Sequence, residues 1–100
     1  MNTTITETDG KYTVILEGEL DTAYALEFDE AMKPLRELAD KEVVIDCTNL
    51  EYIASSGLRI LLGLLKSVKA KGNKVVMRNL NDEVFEVFRI TGFIDLFDIE

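Results

Sequence analysis

The sequence predicts an α/β fold built on one mixed, mostly parallel sheet, and three observations lead to that prediction. The Asp9-Gly10 dipeptide between two alternating segments is typical of a two-residue β-hairpin. Residues Val43–Cys47 form an apolar run interrupted only by Asp46, as expected for a central strand covered on both faces. Helical patterns then alternate with strand patterns, which gives the order β-β-α-β-α-β-α-β in a single domain over residues 1–100.

The first strands come from Thr4–Glu7 and Tyr12–Glu17, and Gly18–Asp21 is expected to end the second strand. The next helix is capped by Asp21 or Thr22. Its buried stripe consists of apolar residues at helical spacing: Ala25, Phe28, Met32, Leu35 and Ala39. Pro34 lies inside this pattern and is expected to kink or split the helix.

The remaining elements follow from the same signals. The second helix is predicted over Ser56–Ala70, and Lys74–Arg78 is predicted as a strand. Asn81 caps a third helix that Gly92 ends, and Asp95–Glu100 is predicted as the last strand.

Composition excludes several classes of function. The net charge of −8 argues against nucleic-acid binding, because contacts to phosphates need clustered Lys and Arg. The chain has no His, which removes Ser-His-Asp and Cys-His catalysis. Its one cysteine, Cys47, lies in an apolar strand and is expected to be a buried thiol. No Gly-rich phosphate loop is present, so we expect neither an enzyme nor a bound cofactor or metal.

The location of the protein is also constrained by the sequence. The N-terminus has neither a basic region nor an apolar core segment, so it does not resemble a signal peptide. The apolar runs are shorter than the roughly 18 residues that cross a bilayer. We therefore expect a cytoplasmic protein that does not insert into a membrane.

The triplet Ser55-Ser56-Gly57 stands between the strand Val43–Cys47 and an apolar helix. One interpretation is a plain helix cap, since Ser is a favoured N-cap residue. The other is an anion or phosphate site, because backbone N–H groups are unpaired at a helix start and the dipole is positive there. Gly57 would expose the neighbouring N–H groups to an anion or to a docking kinase. The residues alone leave both interpretations open.

The second helix carries a second apolar pair, Ile60 and Leu64, nearly opposite a main stripe that includes Leu58, Leu61 and Leu65. Either this pair packs against a neighbouring helix, or it forms an exposed patch for a partner. The second strand is expected to end at Asp21 and the third at Thr48-Asn49, so both ends can share one edge of the sheet with Ser55, where ligands gather in parallel sheets. Asp46 is expected inside the third strand. Because no base with a pKa near 7 accompanies them, a nucleotide-binding or hydrolytic role is a remote alternative.

Four segments together resemble the STAS domain, which is shared by anti-sigma factor antagonists and the cytoplasmic tails of sulphate transporters. Gly18–Asp21 resembles the strand-end motif of that family, and Val44–Leu50 resembles its central strand. Ala54–Leu58 is similar to its D-S-S-G-L phosphorylation loop, and Phe88–Phe93 to its closing helix and turn.

The resemblance implies a partner-switching protein. The unmodified form would bind an anti-sigma factor that is a serine kinase, phosphorylation of Ser55 would dissociate the complex, and a phosphatase would reset it. ATP would belong to the kinase, and the chain itself would be a monomer or weak homodimer. The residues expected at the partner surface are Asp21, Thr22, Ala54, Ser55, Ser56, Gly57, Ile60 and Leu64. The alternative is a scaffold or adaptor subunit of a transport or sensory complex, in which the serine loop is only structural.

Two features depart from the family pattern. Ala54 stands where the family usually has Asp, which alters the electrostatics of the loop that a kinase would recognise. In addition, the last predicted strand reaches Glu100, whereas many single-domain members carry a further helix after that strand.

Overall fold

The computed structural model describes residues 1–100 as a five-stranded sheet with three α-helices. The strands are β1 Asn2–Thr8, β2 Lys11–Leu20, β3 Glu42–Ile53, β4 Val75–Arg78 and β5 Asp98–Ile99. The helices are α1 Ala25–Leu38, α2 Ser55–Ala70 and α3 Asp82–Thr91, and a 3-10 turn spans Phe93–Asp95. The strand order is β1-β2-β3-β4-β5, and only β1 and β2 are antiparallel. The predicted fold class is confirmed.

The first hairpin forms as the Asp9-Gly10 signal predicts. Thr8 pairs with Lys11, which leaves a two-residue loop. Asp9 has φ 50° and Gly10 has φ 75°, and two positive φ values at these positions are the signature of a type I′ turn. This turn twists the chain in the same sense as the strands that it joins.

Both central strands are longer than the sequence predicts. β2 continues through Gly18, whose φ of +102° places a register shift opposite β3 instead of ending the strand. β3 was expected to end at Thr48-Asn49 but runs to Ile53, because its polar residues are accommodated at the two register shifts. As a result, the two strands end together, with Leu20 paired to Ile53 at the edge of the sheet.

Helix α1 is a single helix, so the expectation that Pro34 would split it is wrong. Pro34 and Glu30 are both exposed, and Glu30 carries the carbonyl that loses its i+4 donor at the proline. Water can therefore reach the group that proline leaves unpaired. The helix ends at Ala39, which has φ 45° and donates its N–H to the Leu35 carbonyl over 2.8 Å.

The core lies on one face of the sheet. One buried cluster contains Val43, Ile45 and Cys47 of β3 together with side chains from all three helices. Because the chain steps along the sheet in one direction, right-handed crossovers place every helix on that same face. Val44 and Val76 are buried as well, but they lie outside this cluster. The first part of β3 is therefore buried on both faces, as expected, because Val43, Val44 and Ile45 are all buried.

In the C-terminal region, the third helix forms as predicted, whereas the last strand is shorter than predicted. Asn81 caps α3, and Gly92 ends it with φ 79°. The predicted strand Asp95–Glu100 is reduced to Asp98–Ile99, because the chain first makes the 3-10 turn after Gly92. Among the helices, none combines the length and apolar character required to cross a bilayer.

The Asn81 side chain makes two hydrogen bonds that substitutions can separate. Its Oδ1 accepts the Val84 N–H over 2.8 Å, and its Nδ2 donates to the Leu50 carbonyl over 2.9 Å. We expect Asn81→Ala to lower the free energy of unfolding by about 2 kcal/mol, since both bonds are lost. Asn81→Ser keeps a capping oxygen and should lose roughly half as much. Urea denaturation of both variants checks this, and equal losses would contradict the assignment of Asn81 as a cap.

Candidate functional site at the start of helix α2

Helix α2 starts directly at the edge where β2 and β3 end. Ala54 is the N-cap residue, with φ −86° and ψ 163°, and it donates its N–H to the Leu20 carbonyl over 2.8 Å. The first intrahelical bond runs from the Leu58 N–H to the Ala54 carbonyl over 3.1 Å. Ser55 is therefore the first helical residue, and the interpretation of a serine as N-cap is wrong, since the cap residue has no side-chain acceptor.

Three backbone N–H groups, those of Ser55, Ser56 and Gly57, precede the first intrahelical bond and have no acceptor in the protein. They point out of the helix at its positive end. No acidic residue occurs in α2, and no side chain caps it. The start of α2 is thus an electropositive position with free donors.

The two serines of the triplet have different environments. Ser55 is exposed, whereas Ser56 Oγ is buried and has no hydrogen-bond partner. A kinase can therefore reach the hydroxyl of Ser55 but not that of Ser56 in this conformation. This difference distinguishes two residues that the sequence alone treats alike.

Gly57 is buried, which corrects the expectation that it opens the loop to a partner. A Cβ at this position would lie 2.7 Å from Leu20 Cγ and 3.3 Å from Ile53 Cγ1. Glycine is therefore required so that the first turn of α2 can approach the ends of β2 and β3. Ala54, also expected at the partner surface, is only 7% exposed. Both residues position Ser55 and offer little surface themselves.

Ile60 and Leu64 do not form an exposed pair. Leu64 is fully buried in the core cluster, so its assignment to the partner surface is wrong. The reason is that α2 contacts both the sheet and α1, which widens its buried face. Ile60 is partly buried, and it lines a groove between α1 and α2.

The α1–α2 groove has a volume of about 620 Å³, and its walls include Thr22, Leu26, Ser56, Arg59, Ile60 and Gly63. The structure thus brings together Thr22, Ser56 and Ile60 from the predicted partner surface. Leu26, which is 72% exposed, was not predicted from the sequence. The signal that could have identified it is an apolar residue outside the buried stripe of α1.

Asp21 and Thr22 act at different places. Asp21 Oδ1 accepts the Tyr24 N–H over 2.9 Å, so the carboxylate caps the turn that leads into α1. Asp21 borders a separate hollow with Gly18 and Glu51, whereas Thr22 faces the α1–α2 groove. The expectation that Asp21 or Thr22 caps α1 is therefore wrong, because the N-cap residue is Tyr24 and no side chain caps the helix.

The remaining candidate residues are Asp46 and Cys47, and their surroundings indicate structural roles. Asp46 lies within β3, as predicted, and its Oδ1 accepts hydrogen bonds from the Thr48 hydroxyl over 2.6 Å and the Thr48 N–H over 3.0 Å. These bonds lower the pKa of Asp46. Burial raises the pKa of the Cys47 thiol to about 12, so the thiol is protonated and inert at neutral pH. No cluster of three His, Cys, Asp or Glu side chains is arranged to bind a metal ion.

The comparison with protein families identifies the fold and its family. The STAS domain model matches residues 2–100. The chain belongs to the STAS domain family.

Named relatives of this STAS domain cover nearly its whole length. BtrV of Bordetella bronchiseptica is 30% identical over 99 residues, which are 99% of this chain and 85% of that protein. The anti-sigma-B factor antagonist of Staphylococcus aureus is 28% identical over 99% of this chain and 92% of its own length.

Solved structures of similar proteins share the fold. An anti-sigma factor antagonist from Mycobacterium paratuberculosis superimposes with a TM-score of 0.84 at 26% identity, over 98% of this chain and 83% of the other. The antagonist SpoIIAA in its unphosphorylated form gives a TM-score of 0.77 at 16% identity, over 99% of this chain and 87% of the other. At that identity, the second comparison concerns the fold alone.

The fit of Gly57 is tested by comparing it with the other glycine of α2. We expect Gly57→Ala to lower the free energy of unfolding by about 1–3 kcal/mol, because the added methyl group overlaps Leu20. Gly63→Ala is the matched control. Its methyl group meets no atom within 4 Å and should raise helix stability by about 1 kcal/mol. Urea denaturation measures both, and a Gly57→Ala variant as stable as Gly63→Ala would contradict the close approach.

The hydrogen bond between Thr48 and Asp46 predicts a pH-dependent contribution to stability. The folded-state pKa of Asp46 is lowered, chiefly by the Thr48 hydroxyl, so the contribution is present above the unfolded pKa of about 3.9 and is lost as pH falls through the folded pKa. Thr48→Val should therefore destabilise the protein by roughly 0.5–1 kcal/mol at pH 7 and progressively less below about pH 4. Urea denaturation across this range tests it, and a pH-independent difference would contradict it.

Proposed function

We propose that this STAS domain is an anti-sigma factor antagonist that binds an anti-sigma factor serine kinase and is released when the kinase phosphorylates Ser55. The observation that carries the proposal is the exposed Ser55 hydroxyl beside three free N–H groups at the start of α2. The names of its relatives support the same function, since they include an anti-sigma-B factor antagonist that is similar over 99% of this chain.

In the proposed reaction, this chain supplies only the acceptor. Ser55 Oγ attacks the γ-phosphorus of ATP that the kinase holds, and its proton passes to a base of the kinase. A new O–P bond forms, and the bond between the γ-phosphorus and the leaving oxygen of ADP breaks. A phosphatase hydrolyses the phosphoserine and resets the protein. The chain itself has no His, and its only thiol is buried, so the chemistry is assigned to the partners.

The physical effect of phosphorylation is expected mainly at the interface. The phosphate adds about −1.5 to −2 charges to a chain whose net charge is −8. At the start of α2 the free N–H groups and the dipole stabilise that charge, so the fold is retained. In contact with a partner, the same group introduces desolvation and repulsion. A loss of about 3 kcal/mol weakens binding by more than about a hundredfold.

The partner surface is proposed to combine Ser55 with the α1–α2 groove. Thr22, Leu26 and Ile60 supply an exposed, partly apolar surface next to the serine. Leu64 is excluded from this surface because it is buried. Asp21 contributes through the turn that holds Thr22 in place.

The proposal is tested with the native partner. We expect co-purification to recover a serine kinase, and incubation with that kinase and ATP to add one phosphate to Ser55, as seen by intact mass and peptide mapping. Ser55→Ala should remain unmodified, whereas Ser56→Ala should still be phosphorylated, because the Ser56 hydroxyl is buried. A partner that is not a kinase, or undiminished binding by Ser55→Asp, would contradict the switch and favour a role as an adaptor subunit.

A further inference from the structure

Arg59 is a cation without a carboxylate partner. The chain has four arginines, and the other three form ion pairs: Arg36 with Asp29, Arg78 with Glu100 and Arg89 with Glu86. Arg59 is exposed and forms no salt bridge. It also lies on a helix with cations and no carboxylates, in a chain of net charge −8. An unpaired guanidinium in such a chain is available to an anion.

The position of Arg59 in α2 places it beside the serines. It follows Ser55 by four residues and Ser56 by three, and residues at these spacings are neighbours on a helix surface. Side chains on a helix lean towards its N-terminus, so the guanidinium of Arg59 is directed back to the first turn. A phosphate on Ser55 would therefore lie within reach of this side chain.

A second observation at the same position is the hydroxyl of Ser56. Its Oγ is the one buried side-chain polar atom without a hydrogen-bond partner in the protein. Buried polar groups in folded proteins are nearly always paired, so an unpaired one calls for an explanation. A rotation of the Ser56 side chain about χ1 would bring this hydroxyl to a phosphate oxygen on the adjacent residue, which would be the acceptor that it lacks.

We propose that a phosphate on Ser55 is bound within this chain by the Arg59 guanidinium, with the Ser56 hydroxyl and the free N–H groups of the first turn of α2 as further donors. This inference rests on the proposed phosphorylation of Ser55 and adds a binding site for the phosphate. Arg59 also lines the α1–α2 groove. Binding of the phosphate would draw the Arg59 side chain towards Ser55, so the lining of the groove would change together with the charge.

Ala54 fits the same arrangement. The N-cap residue carries no carboxylate that could repel the phosphate at that position. Asp29 lines the same groove as Arg59, but its carboxylate is paired with Arg36. An Asp at an N-cap would accept one of the first N–H groups of the helix. With Ala54 these donors stay free for the phosphate.

The test installs phosphoserine at position 55 by genetic code expansion, so that it does not depend on any kinase. The second pKa of the phosphate, ordinarily about 6, is measured by ³¹P NMR titration. Arg59 favours the dianion, so Arg59→Gln should raise this pKa by roughly 0.3–0.5 units. Ser56→Ala should raise it by less. Lys66→Gln, which removes a cation from the same helix two turns further on, should leave it unchanged.

The proposal would be overturned if the phosphate in Arg59→Gln had the same second pKa as in the native sequence. It would also be overturned if Lys66→Gln raised this pKa as much as Arg59→Gln does. Arg59 is exposed and unpaired, so its substitution should not disturb folding, and the amide spectrum of the unphosphorylated variant verifies this. Arg59→Lys keeps the charge and should retain most of the pKa difference. If the pKa shift is observed but no kinase modifies Ser55, the binding site stands and the proposed function fails.

Discussion

The close contact between the first turn of α2 and the ends of β2 and β3 determines the geometry of the candidate site. Gly57 has no room for a side chain against Leu20 and Ile53, and Ala54 is tied to Leu20 by a backbone hydrogen bond of 2.8 Å. These two contacts hold the start of α2 on the edge of the sheet. Ser55 is consequently left on the surface, while the Ser56 hydroxyl is enclosed.

The sequence predicts the features that depend on local chemistry. The Asp9-Gly10 turn and the Asn81 cap form as expected, because each is decided by a few adjacent residues. The lengths of β2 and β3 could not be predicted, since bulges keep polar residues such as Thr48 and Glu51 inside a strand. The burial of Leu64 also depends on a tertiary contact, because α1 covers a side of α2 that a sheet alone would leave open.

Electrostatics connects this site with the proposed regulatory function. Helix α2 carries no carboxylate in an acidic chain, so a phosphate at its start would meet free N–H groups and the positive end of the helix dipole. The modification can therefore be tolerated by the fold and still oppose a partner at the surface. A switch of this kind requires a change of charge and of one flexible side chain, Arg59, without rearrangement of the sheet.

The central claim is that a phosphate on Ser55 controls association with the partner, and calorimetry measures this directly. The purified partner is titrated with the unmodified protein and with the protein carrying phosphoserine at position 55, at the same salt concentration. The account predicts a Kd for the phosphorylated form that is larger by at least about a hundredfold. Dissociation constants that agree within about threefold, which corresponds to less than about 1 kcal/mol, would contradict it.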